Sequence, residues 1–402
     1  MEKQHITIIG GGIAGLTTAI ALKRIGHTVS VFEAAPHLRP VGAGISLGPN
    51  AINAFAALDL KQALLGRGRL VRTFHIFDHR GGILTRTQVP SDLGPGVLCI
   101  HRADLHAFLL EQLDPNELHT DRRVASLIQD HQGVTVRFTD GSEHHAALLI
   151  AADGIRSAVR RCVLPRVQPR YAGYAAWRGV VHLPGMGDIA SETWGPRGRF
   201  GIVPLADDHV YWFATSNATE NDARFAAFRI ADLQRHFAGY HTTVRQVLAH
   251  ASDEHLIHGG IHDLPPLEHF AHGRVLLIGD AAHATTPNMG QGACQAIEDA
   301  VLLAHYLHNT PDATTAFRAF EQDRMPRTSW VVRNSRTIGG VGQWQHPLAI
   351  ALRNALIRRV PPRIGQRRFD LANNVRFPHI PAVSEPGLEK TTSTGTRMAV
   401  HH

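Results

Sequence analysis

Residues 5–15 read HITIIGGGIAG, and this stretch decides the fold. The apolar run over 5–9 predicts a buried strand, and the pattern over 14–25 predicts a helix that follows the glycines. The next apolar run, TVSVFE over 28–33, predicts a second strand. A strand, a helix and a strand within about 30 residues form a βαβ unit. Such a unit indicates a parallel sheet with helices packed on its faces.

The glycines of this unit match the pattern G-x-G-x-x-G. In that pattern the first glycine allows a tight turn, the second lets the backbone approach a pyrophosphate, and the third lets helix and strand pack closely. The N-terminus of the helix offers free N–H groups and the positive end of its dipole to the phosphates. An acid that ends the second strand is placed to accept hydrogen bonds from ribose hydroxyls. The residues predicted to line a bound dinucleotide are Gly10, Gly12, Ile13, Ala14, Gly15 and Glu33.

The middle of the chain, residues 171–271, has a different pattern of apolar and turn-forming residues. The segments WRGVVHL, GRFGIVPL and HVYWFATS are strand-like and are separated by Gly, Pro and Asp turns, which predicts a mainly antiparallel sheet. From residue 274 the pattern returns to a strand, a loop and a long helix. An α/β domain interrupted by a β-rich insertion explains this order.

Two further segments carry a family resemblance, IAADGIRSAVR over 150–160 and RVLLIGDAAHATTPNMGQG over 274–292. With the glycine turn, they resemble the three signatures of the class A, single-component FAD-dependent monooxygenases, the family of para-hydroxybenzoate and salicylate hydroxylases. The resemblance covers residues 5–345 in the same order. Residues 41–55 look like the salicylate and hydroxynicotinate hydroxylases, whereas residues 287–300 look like zeaxanthin epoxidase and urate hydroxylase. Since these subgroups differ in substrate, the resemblance implies no single substrate.

The resemblance implies an α/β fold of the para-hydroxybenzoate hydroxylase type. In that fold a Rossmann-like FAD-binding domain is interrupted by a β-rich substrate domain and followed by C-terminal helices. We expect the FAD-binding domain to be discontinuous and the last residues to form a flexible tail. The expected boundaries are 1–72, 97–170 and 272–345 for the FAD-binding domain, 73–96 and 171–271 for the substrate domain, 346–383 for a basic helical segment and 384–402 for the tail.

The resemblance also implies roles for residues outside the glycine turn. Asp280 would hydrogen-bond the ribityl chain near the pyrophosphate, and Arg102 would reach the FAD linker. Asp153 and Gly154 would form a second turn, close to the FAD and to the path of the nicotinamide. The remaining expected FAD contacts are Gly44 and Gly279, together with Pro287, Gly290, Gln291 and Gly292 in the loop beside the isoalloxazine.

A substrate site is expected against the β-rich insertion, because pockets commonly form between domains. Arg199 and Tyr211 lie on adjacent predicted strands, where they could converge on one ligand, and urate hydroxylase has a similar pair. Arg199 could hold an anionic or carbonyl-bearing ring, and Tyr211 could hydrogen-bond it or assist its deprotonation. Trp177 and Arg178 fit sheet packing better. The residues predicted at the reacting centre are Arg199, Tyr211, Pro287 and Gly290.

The implied activity is oxygen insertion from a flavin C4a-hydroperoxide into an aromatic, heteroaromatic or polyene small molecule, with aromatic ring hydroxylation favoured. FAD would be bound tightly but non-covalently, with NAD(P)H as a transient reductant and O₂ as co-substrate. The segment Gly339-Gly340-Val341-Gly342 lacks the preceding strand of a second dinucleotide site. Two alternatives stay open: a flavin reductase or oxidase on the same fold, and a non-enzymatic FAD-binding protein that recruits partners.

Net charge and composition limit the kinds of partner that we expect for this protein. The chain has 402 residues and a net charge of +7, and residues 346–376 hold seven arginines and one acid, a balance of +6. Without a nucleic-acid reader motif we expect no nucleic acid, although the basic C-terminal helix could contact a membrane surface peripherally. Three scattered cysteines and no signal segment indicate a cytoplasmic protein, and no metal-ligand spacing is present. The oligomeric state stays open.

Overall fold

The structure is a computed structural model, and it describes residues 3–38 and 42–382. Its strands, numbered in chain order, are β1 His5–Ile9, β2 Thr28–Phe32, β3 Gly44–Leu47, β4 Arg69–Val71, β5 Thr73–Asp78, β6 Ile83–Gln88, β7 Val97–His101, β8 Leu118–His119, β9 Val124–Gln129, β10 Val134–Phe138, β11 Glu143–Ala146, β12 Leu148–Ala151, β13 Arg170–His182, β14 Ile189–Gly195, β15 Gly198–Pro204, β16 His209–Asn217, β17 Ile257–Asp263, β18 Ala271–His272 and β19 Val275–Leu277. Its α-helices are α1 Ile13–Arg24, α2 Pro49–Ala57, α3 Lys61–Leu65, α4 Arg102–Leu110, α5 Ala158–Val163, α6 Ala223–Ala226, α7 Ile230–His236, α8 Thr242–His250, α9 Asp280–His283, α10 Gly292–Asn309, α11 Ala313–Gly342, α12 Pro347–Arg359 and α13 Pro362–Asn373.

A six-stranded sheet in the order β18-β19-β12-β1-β2-β8 forms the first layer of the molecule. Strand β1 pairs in parallel with both β2 and β12, and β12 pairs in parallel with β19. The predicted βαβ unit is confirmed as β1, α1 and β2, with the helix beginning at Ile13 and the second strand ending at Phe32. Because parallel strands point their carboxyl ends to one edge, the turns after β1, β12 and β19 meet there.

A seven-stranded sheet in the order β17-β13-β16-β15-β14-β5-β6 forms the second layer. Its strands pair antiparallel except for β14 with β5. One face packs on α6, α7 and α8 through buried Trp177, Phe200 and Trp212. The opposite face, which carries Arg199 and Tyr211, contacts β3 and the end of α11. The α/β fold class is confirmed, whereas the domain boundaries given above stay a prediction.

The C-terminal helices wrap back onto the first layer. Arg327 in α11 donates to the carbonyl of Leu371 in α13 at 2.9 Å, and the Ile380 N–H donates to the Ala57 carbonyl at 3.1 Å. None of the helices in the described ranges is long and apolar enough to cross a bilayer. The tail predicted at 384–402 lies outside the described residues.

Candidate active site

The glycine turn after β1 is tightly packed at Gly10 and Gly15 but open at Gly12. A Cβ on Gly10, whose φ is +109°, would lie 2.4 Å from the carbonyl oxygen of Ala152, and one on Gly15 would lie 1.9 Å from that of Gly10. These contacts explain why both positions need glycine. A Cβ on Gly12 would meet nothing within 4 Å. This open space at the N-terminus of α1 is where a pyrophosphate could approach the backbone.

Glu33 holds this turn in shape. Its Oε2 accepts a hydrogen bond from the Gly11 N–H at 2.7 Å, and its Oε1 accepts one from the Ala35 N–H at 2.8 Å. Each carboxylate oxygen has a second lone pair, so both can still accept from a ribose hydroxyl. The acid predicted to contact a ribose therefore also orders the phosphate turn.

The second predicted turn follows β12. Asp153 Oδ2 accepts from the N–H groups of Ala158 and Val159, at 2.7 and 3.1 Å, and so caps α5. Its Oδ1 is buried and has no hydrogen-bond partner in the described part of the chain. Burial raises the pKa of Asp153 despite these hydrogen bonds. At Gly154, whose φ is +78°, a Cβ would meet nothing within 4 Å. Asp153 Oδ1 could therefore accept a hydrogen bond from a polar group that is bound in the open space beside Gly154.

Asp280 begins α9 directly after Gly279, whose φ is +54°. The residue lines a cleft of about 680 Å³ and is accessible from it, while the surrounding protein atoms displace most of the water around its carboxylate. Loss of hydration raises the pKa of Asp280, and the nearby His283, Arg102 and Arg160 partly offset that rise. The predicted residues Asp280 and Arg102 are therefore close together. The cleft is lined among others by Arg156, Arg160, Arg161, Arg178, Thr285 and Pro287.

The loop between α9 and α10 is held in place by hydrogen bonds to β13 and α11. Residues Pro287–Met289 form one 3₁₀ turn, and Gly290 follows in the left-handed region with nothing within 4 Å of its Cβ position. The Asn288 amide donates to the Ser335 carbonyl at 2.8 Å and hydrogen-bonds the Tyr174 hydroxyl. The loop therefore presents open backbone at Gly290 and at Gly292, the start of α10.

Gln291 contributes to this loop differently from its neighbours. Its side chain is buried, and its Oε1 accepts from Asn50 Nδ2 at 2.9 Å and from Gln295 Nε2 at 3.0 Å. The side-chain amide is therefore directed into the protein, where it supports the loop.

Sequence reasoning missed a buried charge network beneath the Gly279 turn. Asp299 Oδ2 accepts from the Gly279 N–H at 2.8 Å and contacts His283 Nε2 at 2.6 Å, while its Oδ1 accepts from Arg324 Nε at 2.7 Å. Burial by itself would raise the pKa of Asp299, but the charges of His283 and Arg324 and these hydrogen bonds lower it to about 2. Asp299 therefore stays ionised and holds the backbone that carries Asp280.

The preceding residue extends this network. Glu298 Oε2 accepts from Arg324 Nη1 at 2.6 Å and from Arg327 Nε at 2.7 Å. Burial opposes ionisation of Glu298, but the two arginines outweigh it and lower its pKa. The signal in the sequence was the pair Glu298-Asp299 within the apolar run AIEDAVLLA, where charged residues need buried partners.

Arg199 and Tyr211 lie on the same face of the second sheet, but they are too far apart to contact the same polar atom of a ligand. Arg199 pairs with Thr215 across β15 and β16, and Tyr211 pairs with Val203. Four residues of strand separate Tyr211 from Thr215, which corresponds to about 13 Å. The Phe213 ring lies between them, because a Cβ on Gly201 would be 2.0 Å from it. Only a ligand of several atoms could contact both side chains.

Arg199 is buried with one acid and a second arginine. Its Nη1 donates to Glu192 Oε1 at 3.0 Å, and its guanidinium lies 5.4 Å from the centre of the Tyr174 ring. Its Nε has no partner in the described residues. Arg353 of α12 lies over the Trp194 ring, and burial lowers the pKa of Arg353 to about 10, with the Arg199 charge adding to that effect. Arg199 is therefore ion-paired, whereas the neighbouring Arg353 makes no ion pair among the described residues.

Tyr211 packs against β3. A Cβ on Gly44 would lie 2.4 Å from the Tyr211 Cβ and 2.6 Å from its Cγ, so this predicted cofactor residue lies directly against the tyrosine. Burial raises the pKa of Tyr211, and only the Arg178 charge opposes the rise. Tyr211 is therefore a neutral phenol near neutral pH, which can donate or accept a hydrogen bond but is a poor base. Trp177 packs in the apolar core on the other face, and Arg178 lines the cleft.

Comparison with known proteins gives a family match over most of the chain. The family described as FAD binding domain matches residues 3–335. The aurachin C monooxygenase/isomerase of Stigmatella aurantiaca is 38% identical over 358 residues, which cover 88% of this chain and 93% of that protein. The 2-heptyl-3-hydroxy-4(1H)-quinolone synthase of Pseudomonas aeruginosa is 36% identical over 380 residues, which cover 90% of this chain and 97% of that protein.

A solved structure agrees with these sequence matches. The crystal structure of Klebsiella pneumoniae HpxO complexed with FAD and uric acid has a TM-score of 0.85 to this chain at 31% identity. The match covers 92% of this chain and 96% of that one. The likeness therefore spans more than nine tenths of this chain.

Proposed function

The chain belongs to the class A FAD-dependent monooxygenases, and on this premise we propose that it hydroxylates the ring of a 4-quinolone-type heteroaromatic with an apolar side chain. As a member of the family it is an enzyme that binds FAD and uses NAD(P)H and O₂. The observation that carries the substrate proposal is the buried, aromatic-walled face where Arg199 pairs with Glu192 while the nearby Arg353 makes no ion pair among the described residues. A surplus of buried positive charge favours a ligand with an anionic or strongly polarised oxygen.

The residues that would hold FAD fit that group. Open space at Gly12 and Gly154 would take the pyrophosphate and its neighbourhood, and the Asp280 carboxylate would accept from ribityl hydroxyls. The open backbone at Gly290 and Gly292 would lie against the flavin ring, where the N-terminus of α10 stabilises negative charge. When bound, FAD supplies the redox chemistry, taking a hydride from NAD(P)H and delivering one oxygen atom of O₂ to the substrate.

The substrate oxygen would be held by the cationic end of the second sheet. Hydrogen bonds from Arg199 would polarise the 4-oxygen of a quinolone toward its oxyanion resonance form, in which the ring nitrogen donates electron density to the carbon adjacent to C4. Electron-rich carbon is what an electrophilic oxygen attacks. Tyr211, as a neutral phenol, would orient the ring by a hydrogen bond without removing its proton.

An apolar substituent would fit the neighbouring wall. Tyr211 packs with Phe74, Val180 and Val203 in a small apolar cluster on the same part of the sheet. The name of the Pseudomonas relative specifies a quinolone ring that carries a 3-hydroxyl and a heptyl chain. We infer an analogous alkyl-bearing heterocycle for this chain, with the alkyl group along that cluster.

The reductant would approach through the cleft. Arg156, Arg160, Arg161 and Arg178 line it, and a concentration of guanidinium groups suits the phosphates of NAD(P)H. Among the described residues no strand precedes Gly339-Gly340-Val341-Gly342, which form the end of helix α11. This supports transient docking of the reductant in the cleft.

The test is anaerobic reduction of the purified holoenzyme by NADH and by NADPH with 2-alkyl-4-quinolones, salicylate and urate. We expect the flavin absorbance to bleach faster only with a quinolone, and aerobic turnover to yield a product heavier by one oxygen atom. Acceleration by urate or salicylate alone would replace the proposed substrate class. Equal bleaching with every compound, without oxygenated product, would favour a flavin reductase or oxidase.

A further inference from the structure

Helix α12 buries two polar side chains and exposes three leucines. Its buried side consists of Ile350, Arg353 and Asn354, which are 7%, 2% and 7% exposed. On its opposite side Leu348, Leu352 and Leu356, spaced four residues apart, are 75%, 58% and 54% exposed. Val360, directly after α12, and Ile364 in α13 are also exposed, at 46% and 50%, and we call these five residues the apolar stripe. Apolar side chains this exposed in a row usually mark an interaction surface.

The inward anchoring of Arg353 fixes the direction of the apolar stripe. Arg353 Nη1 donates to the carbonyls of Val341 and Gly342, at 3.3 and 3.1 Å, and so caps the last turn of α11. Its guanidinium lies over the Trp194 ring. A helix pinned by this residue cannot roll its leucines inward without breaking buried hydrogen bonds. The exposure of the stripe is therefore built into the fold.

The surroundings of the apolar stripe are strongly cationic. Six exposed arginines accompany it in α12, α13 and the segment that follows, against the single acid Asp370. Arg358 pairs with Asp78 at 2.6 Å and remains half-exposed. An apolar row flanked by arginines is the pattern of a helix that lies in a lipid interface. The exposed arginines are Arg358, Arg359, Arg363, Arg367, Arg368 and Arg376.

We propose that the apolar stripe docks this enzyme on the surface of an anionic phospholipid bilayer. The leucines would enter the acyl boundary while the arginines contact lipid phosphates. A second copy of the chain fits less well, because a two-fold contact through the stripe would bring two arginine clusters together. Lipid phosphate supplies the negative charge that a second copy lacks.

The position of Trp344 links this surface to the interior. Trp344 is 39% exposed, precedes α12 by three residues and lines a surface depression of about 630 Å³. The same depression is lined by Tyr174 and Gln343. Tyr174 contacts the Arg199 guanidinium. Bilayer docking would thus bring this depression, one side chain away from Arg199, close to the lipid, where an apolar molecule concentrates.

The test is co-sedimentation of the holoenzyme with vesicles. We expect binding to an equal mixture of phosphatidylglycerol and phosphatidylcholine, weakening at high salt, and far less binding to phosphatidylcholine alone. The double substitution Leu352→Ser, Leu356→Ser should weaken binding at least tenfold, roughly, because it removes most of the inserted apolar area. The triple substitution Arg363→Gln, Arg367→Gln, Arg368→Gln should weaken it roughly a hundredfold.

Ile128→Ser is the matched control, since Ile128 is a 74% exposed apolar residue on β9, away from α12, and its loss should leave vesicle binding unchanged. Flavin content and NADH oxidation in the absence of vesicles should be the same in all variants. No binding to anionic vesicles, or equal binding to neutral ones, would overturn the proposal. So would a dimer in sedimentation that the Leu352→Ser, Leu356→Ser protein loses, or vesicle binding that appears only after residues 383–402 are removed.

Discussion

Arg199 Nη1 lies 3.0 Å from Glu192 Oε1, and the two side chains are 2% and 11% exposed. The two residues belong to neighbouring strands of the second sheet, β14 and β15. With Arg353 nearby, the pair leaves a net positive charge in the interior.

Removing Arg199 should therefore affect both stability and substrate affinity. Arg199→Met leaves the Glu192 carboxylate buried without its partner, and we expect a loss of about 3–5 kcal/mol in the free energy of unfolding. The double substitution Arg199→Met, Glu192→Gln should recover most of this loss, since no unpaired charge remains. Denaturant unfolding of the holoenzymes measures both effects.

The two roles of Arg199 separate in a binding titration. Substrate-induced changes in the flavin spectrum should be weak in the double variant although its stability is restored. A double variant that is stable and binds substrate like the wild type would show that Arg199 serves the fold only.

Asp280→Ala should yield protein largely depleted of FAD. The substitution removes the carboxylate that lines the cleft, whereas Asp280→Asn keeps an acceptor oxygen and should retain part of the flavin. Glu254→Ala, an exposed acid outside the site, is the control and should purify with full flavin. The ratio of flavin to protein absorbance measures the occupancy, and full occupancy in Asp280→Ala would contradict the proposed role.

Asp299→Asn should lower both stability and flavin affinity, because Asp299 holds the Gly279 N–H and Arg324. We expect a loss of about 3 kcal/mol or more in the free energy of unfolding at neutral pH. The folded-state pKa of Asp299 is about 2, below its ordinary value. Its contribution is therefore fully present above about pH 4 and is lost as the pH falls toward 2, so the variant should show a flatter pH dependence in that range.

Asp312→Asn provides a matched control for that experiment. Hydrogen bonds from Thr315 and Thr314 lower the pKa of Asp312 to about 2 as well, but this exposed residue caps α11 far from the Gly279 turn. Because asparagine caps a helix about as well as aspartate, the substitution should cost less than about 1 kcal/mol. Flavin affinity should fall in Asp299→Asn and stay unchanged in Asp312→Asn; an equal fall in both would indicate a general effect of stability.

Tyr211→Phe should lower kcat/KM roughly tenfold by removing one hydrogen bond to the bound ring. Because burial raises the pKa of Tyr211, the hydroxyl does not act as a base near neutral pH. The pH profile of kcat should therefore keep its shape in the variant. A limb of that profile that disappears with the hydroxyl would assign Tyr211 a role in proton transfer.

Only one of the three cysteines should react quickly with a thiol reagent in the native protein. Burial raises the pKa of Cys99 to about 11 and that of Cys294 to about 12, whereas Cys162 is exposed. We expect one fast equivalent by absorbance titration, absent in Cys162→Ser, and three after unfolding. A second fast equivalent in the folded protein would show that Cys99 or Cys294 becomes accessible.

The nucleotide-binding half of the molecule could be read from sequence because its demands are local. Gly10, Gly12 and Gly15 fall within a single turn, and their need for glycine comes from backbone atoms close to that turn. The antiparallel strands of the second sheet could also be predicted from the sequence, since the alternation of apolar and polar residues and the turn residues are short-range signals. The helices α6, α7 and α8 inside the β-rich insertion were not predicted.

What only the tertiary structure decided is which distant side chains meet. Asp299 and Arg324 are 25 residues apart, and no spacing rule joins them across two helices. The sequence likewise placed Arg199 and Tyr211 on adjacent strands, but the register separates them by a phenylalanine ring. The sequence alone determined the dinucleotide turn, because backbone conformation is encoded within a few residues, and its three motifs carried the resemblance to the monooxygenase family. The charge balance around Arg199 and the outward direction of the α12 leucines depended on packing between elements far apart in the chain.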